Sequence, residues 1–162
     1  MAGSGNGCTM SLAWHRFLCR FLLWAAALLH SAQAVWLALG GAYQGADIQA
    51  AVYAALPALR CIDYGRAACM LVAAVLLILG AVSLNRLRLR GLTYVLCGWL
   101  TAAAANLVRM FLRFAVSGLP PLNVSEIAQI LLQATLAGIC VVYYRRRPGL
   151  FAESEEVPSH EN

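Results

Sequence analysis

Four apolar runs dominate this chain: residues 17–39, 68–84, 92–115 and 127–144. Each is about as long as the ~20 residues needed to carry an α-helix across a hydrocarbon layer ~30 Å thick. Within such a layer every backbone N–H and C=O must be paired inside its own segment, so a run of this length is restricted to a helix. The fold class that follows is an all-α integral membrane protein, a four-transmembrane-helix bundle. Composition agrees: 62% of the 162 residues are hydrophobic and 12% charged, against about 25% charged in an ordinary soluble domain.

The first run admits a second reading. Arg16 and Arg20 precede a short apolar stretch, FLLWAAALL, and Ala32–Gln33–Ala34 has the small-x-small form of a signal-peptidase site. Cleavage after Ala34 would leave three spans. VWLALGG prolongs the apolar run past that site, and Trp14 and Trp36 stand near its ends as interfacial anchors, which favours a retained helix.

Arginine placement sets the expected topology. All 12 basic residues are arginine; Arg86, Arg88 and Arg90 crowd the 85–91 loop, and Arg145, Arg146 and Arg147 follow the last run. The positive-inside bias puts both clusters, and Arg16 with Arg20, on the cytoplasmic side. Both termini are then cytoplasmic, and segments 40–67 and 116–126 face the lumen or exterior, in the endomembrane system or plasma membrane. The 40–67 segment, with Asp47 and Asp63 against Arg60 and Arg66, reads as a mildly polar loop whose Ala-rich middle forms a short interfacial helix ending near Pro57. The tails, 1–14 and 145–162, read as disordered beyond the helix ends. Ser154, within ESEE, has the surroundings of an acid-directed phosphorylation site. The net charge of +5 lies beside apolar runs and not on a basic-aromatic surface, so no nucleic-acid partner is implied.

Two arginines break the pattern. Asn106, Arg109 and Arg113 are spaced i, i+3, i+7 in the third run, and Glu126, Gln129 and Gln133 repeat that spacing on the fourth. A short Pro120–Pro121 turn makes the two helices antiparallel neighbours, so the sets form a polar seam. Glu126 reads as the only acid beside a span, and offsets Arg109 or Arg113, because a charge deep in a bilayer costs about 2.5–3.5 kcal/mol on insertion scales unless it pairs or snorkels. The seam either closes on itself as a hairpin clamp or holds an anionic group such as a lipid phosphate.

The other candidates are weaker. His30 and Gln33, one turn apart, suggest an interhelical hydrogen bond, with no second ligand at metal spacing. Cys61 and Cys69 are a candidate disulfide, although on a helix they would be about 12 Å apart along the axis; Cys19 is a juxtamembrane candidate for palmitoylation. Asn123 heads an Asn-Val-Ser glycosylation pattern. Gly98, Ala102 and Asn106, and Ala134 with Gly138, are four apart and permit close helix approach. No phosphate loop, HExxH, nucleophile elbow or paired catalytic carboxylates occur. The reading is a non-enzymatic accessory, scaffold or organising subunit, without a cofactor, whose partners are the lipid bilayer and other membrane proteins or copies of itself. Alternatives are a transporter or channel component using the seam and, less favoured, a lipid-binding protein or enzyme.

Overall fold

The computed structural model describes residues 12–43, 45–118, 124–147 and 150–151. The N-terminal tail to residue 11, Pro120, Pro121, Asn123 and Ser154 lie outside them, so the turn, the glycosylation and the phosphorylation expectations fall on undescribed residues. Four helices are long and apolar enough to cross a membrane: α1 (Ala13–Ala38), α3 (Pro57–Asn85), α4 (Arg90–Ser117) and α5 (Val124–Arg145). A shorter helix, α2 (Ala46–Ala55), lies between the first two. The all-α four-helix bundle is what the apolar runs imply.

The boundaries differ in one consequential place. The helix of the second apolar run starts at Pro57 and not at Ala68. Pro57 does stop α2, since Leu56 before it is extended at φ −134°, ψ 78°, as a residue preceding proline prefers. It also opens α3, because proline's fixed φ and missing N–H suit the first helical position. Residues 57–67 are therefore helix and not loop, and Asp63 and Arg66 ride on it, both buried.

A heptad-like seam runs through the bundle. On α3 the buried positions Leu59, Asp63, Arg66, Met70, Ala73, Leu77, Gly80 and Leu84 alternate steps of four and three. On α4 Gly91, Val95, Gly98, Ala102, Ala105 and Arg109 do the same. That spacing keeps one face turned to a neighbour crossing at a shallow angle. Between helices in lipid there is little hydrophobic drive, so close packing must supply the cohesion. Glycines allow it: a Cβ on Gly91 would sit 2.6 Å from the Leu84 backbone nitrogen, and one on Gly80 2.6 Å from Val95 Cγ2. The expected small-residue stripe Gly98–Ala102–Asn106 faces this contact. Ala134 and Gly138 do not; both are exposed, with open space where a Gly138 Cβ would go.

The first segment is built into the core. Its Leu18 and Leu23 are fully buried, held on one face by a π turn over Leu18–Leu22, whose i→i+5 bonding aligns residues five apart. Around them lie Leu77, Leu84, Val95, Trp99, Cys140 and Tyr144. A second layer, of Ala34, Leu37, Ala67, Met70, Ala73, Ala102 and Ala105, is mostly alanine and draws the helices together there. Beyond α1, Gly40 turns the chain with φ +81°, where an added Cβ would meet the Gly45 carbonyl at 2.8 Å.

Gly91→Ala should destabilise the protein by about 1–3 kcal/mol, because its clash is with backbone and cannot be relieved by a rotamer change. Gly138→Ala should be neutral or mildly stabilising. Thermal unfolding of the two variants in one detergent checks the contrast.

Candidate functional site

Above the alanine layer, α3, α4 and α5 bring five polar side chains into contact. Asp63 and Asn106 are fully buried, and Arg66, Arg109 and Glu126 nearly so. Arg109 is the hub: its Nε donates to Asp63 Oδ1 at 2.7 Å, and its Nη1 donates to Glu126 Oε1. Arg66 Nε donates to Asn106 Oδ1 at 2.9 Å. Two arginines and two carboxylates leave no formal charge over.

The segment between α1 and α3 completes the network. Asp63 Oδ2 accepts from Tyr43 Oη at 2.6 Å and Tyr53 Oη at 3.2 Å. Gln49, buried on α2, donates from Nε2 to Tyr53 Oη at 3.0 Å and to the Leu37 carbonyl at 3.1 Å. Each Asp63 oxygen is thus occupied, as a buried carboxylate requires. Burial first, then the hydrogen bond to Asp63, pushes the Tyr43 phenol well above its usual range; Tyr53 is raised as well, again with burial leading.

The expected seam is divided. Asn106, Arg109 and Glu126 come together, with Glu126 paired to Arg109 and not to Arg113. Arg113 is half-buried, its guanidinium 5.7 Å from the centre of the Tyr43 ring. Gln129 and Gln133 face elsewhere, into a cavity of about 200 Å³ whose polar lining also includes His30, Gln33 and Trp99. The expected interhelical hydrogen bond of His30 does not form; neither ring nitrogen meets a partner in bonding geometry, and the polar group acting on the ring is Gln33 of the same helix.

Asp63 and Arg66, which read as loop charges in the sequence, belong to the network, and Glu126 is not the only acid available to the arginines. Of the four charges that cancel along 40–67, Asp47 and Arg60 are exposed, while Asp63 and Arg66 are directed inward by the same four-three spacing that buries Leu59 and Met70. Cys61 and Cys69 are free and stand on one helix, which holds them apart. Cys19 is buried, with Sγ 3.8 Å from His15 Nδ1, so the exposed thiol that acylation needs is lacking. His15 Nδ1 is also 2.8 Å from Tyr144 Oη, tying the start of α1 to the end of α5. Among the described residues no three His, Cys, Asp or Glu side chains converge as a metal-ligand set.

The chain matches no protein-family profile, and no curated protein or solved structure is detectably similar to it.

Removing Arg109 would strand two buried carboxylates. Arg109→Leu should cost about 3–5 kcal/mol, the range for breaking a buried pair. Arg113→Leu, which loses only a ring contact, should cost about 0.5–1 kcal/mol. Unfolding titrations in mixed micelles separate the two. Free tyrosine ionises near pH 10, and the folded protein holds the Tyr43 and Tyr53 protons beyond that. Stability should therefore be unaffected by these groups below about pH 10 and fall as pH rises above it, with a shallower fall in Tyr43→Phe.

Proposed function

We propose that this multi-pass membrane protein is a non-enzymatic accessory or organising subunit, which packs beside other membrane proteins or further copies of itself. The observation that carries the reading is the closure of the charge cluster. Arg109 donates from Nε to Asp63 and from Nη1 to Glu126, and Arg66, in no ion pair among the described residues, donates from Nε to Asn106. A path for anions or protons would carry an excess of one charge; the two arginines and two carboxylates of this cluster cancel, although Arg66 and Arg109 also line a cavity of about 580 Å³ between α3 and α4. The clamp reading therefore stands ahead of transport. The hydroxyls beside a carboxylate in it are the Tyr43 and Tyr53 phenols on Asp63, whose protons burial holds firmly, which weighs against nucleophilic catalysis in the cluster.

The remaining surface suits a packing role. Ala134 and Gly138 leave a shallow strip on the outward face of α5, the type of surface on which membrane helices approach closely. Arg86, Arg88 and Arg90 at one loop, and Arg145 to Arg147 at the chain's other end, support cytoplasmic placement of both termini, in the endomembrane system or plasma membrane. Burial of Leu18, Leu23 and His15 in the bundle supports retention of the first segment.

Purified protein in liposomes should carry no chloride or proton flux above that of empty vesicles; a flux abolished by Glu126→Gln would overturn the reading in favour of transport. Membrane-protein partners, or a second copy, should co-purify in fixed stoichiometry from native membranes in mild detergent. Gly138→Leu should weaken that association about tenfold without changing thermal stability. A mature N-terminus at Val35, read by protein sequencing, would overturn the four-span arrangement.

A further inference from the structure

Among the described residues, ten buried side-chain nitrogen or oxygen atoms have no hydrogen-bond partner, and six of them belong to residues lining one cavity. They are both ring nitrogens of His30, Trp99 Nε1, and the Oε1 atoms of Gln33, Gln129 and Gln133. His30, Trp99 and Gln133 are each 3% exposed, so these groups are not turned to an outer surface. Buried polar groups are otherwise paired in folded proteins, and a cluster of unpaired ones around a hollow marks a place prepared for a polar molecule.

Three features narrow its occupant. No Asp, Glu, Lys or Arg lines the cavity; with Trp99 a donor, three glutamine oxygens acceptors and the neutral imidazole one of each, the walls match a group that both donates and accepts. A hydroxyl does so. Its depth comes next: His30 lies eight residues from the end of α1 and Gln133 nine from the start of α5, about 12–14 Å along helices rising 1.5 Å per residue. That is toward the middle of the hydrocarbon layer, where an uncharged lipid can carry a hydroxyl at far lower cost than a phospholipid can carry its charged headgroup. The last feature is access. Leu29 and Leu132, both more than half exposed, are also lining residues, so the hollow opens sideways between α1 and α5. Its ~200 Å³ is below the 300–1,000 Å³ of pockets that enclose a whole drug-sized molecule, and fits the polar end of one whose chain remains in the bilayer.

We propose that this cavity binds the hydroxyl-bearing end of an uncharged membrane lipid, entering laterally between α1 and α5. A sterol and a monoacylglycerol share this chemistry. The site is separate from the charge cluster, and its occupancy does not depend on the subunit role proposed above.

The test uses the full chain in phosphatidylcholine nanodiscs with three photoreactive, alkyne-tagged probes: a sterol, a monoacylglycerol and a phosphatidic acid. At least one neutral probe should label peptides containing Leu29 or Leu132, saturably and in competition with its untagged parent; which one labels tells a sterol from an acylglycerol. Labelling should fall at least about fivefold in Gln133→Leu, which removes one wall acceptor, and in Ala25→Phe, which fills the exposed rim. The melting temperature of Gln133→Leu without lipid should be unchanged or higher, since an unpaired buried amide is gone, while the upward shift given by the neutral lipid should vanish. If Gln133→Leu does not fold, Ala25→Phe decides. Equal labelling of the wild type and Ala25→Phe, equally saturable labelling by phosphatidic acid, or no saturable labelling, as for a cavity that holds only water, would each overturn the proposal.

Discussion

One guanidinium ties three helices together. Arg109, on α4, reaches Asp63 on α3 and Glu126 on α5, and the remaining Asp63 oxygen anchors Tyr43 and Tyr53 from the segment between α1 and α3. In water such an assembly would compete with hydration of every member. Between helices in lipid the alternative to pairing is an unsatisfied charge in hydrocarbon, so the arrangement is held by the penalty for leaving it. The formal neutrality of the group lets it sit where a single arginine could not. Its position follows: the cluster rests on an alanine layer that brings the helices near enough for side chains to meet.

The number and kind of spans were legible from the apolar runs, since hydrocarbon permits a run of that length only one regular structure. The pairing of Glu126 with an arginine across the α4–α5 hairpin was legible as well, from two i, i+3, i+7 sets joined by a short turn. The choice between Arg109 and Arg113 was not, because it depends on which turn of α4 lies level with the start of α5. Asp63 and Arg66 were hidden for a different reason. Hydropathy averages over a window, and the polar turns at the start of α3 lower that average until the helix looks like a loop. The four-three spacing from Leu59 to Leu84 persists across those turns and is the signal by which the helix could have been extended upstream.

Small residues show the same dependence on facing. Gly98–Ala102–Asn106 and Ala134–Gly138 have equal spacing, yet the first lies inside the α3–α4 contact and the second points outward. Spacing alone says that a close approach is permitted; the partner is fixed by the rest of the helix. On α4, Val95, Trp99 and Arg109 occupy the same side as the glycines, while on α5 the buried set is Glu126, Gln133, Ala137, Cys140 and Tyr144, leaving Gly138 on the far face.

That buried set on α5 also accounts for the hollow beside it. Glu126 pins the start of the helix to Arg109, and Tyr144 pins its end to His15, about 27 Å apart at 1.5 Å per residue. Both pins are polar, and both are far from the middle of the helix. Midway stands Gln133, facing His30 and Trp99 across a gap that the pins neither close nor require to close. A leucine there would pack the gap with apolar atoms and bring α1 and α5 together, as Leu77 and Leu84 do between α3 and its neighbours. Gln133 in its place, with Gln33, Gln129 and His30 around the same gap, opposes that collapse, since buried amides without partners resist dry packing. The bundle is thus pinned near both ends of α5, with a hollow between the pins.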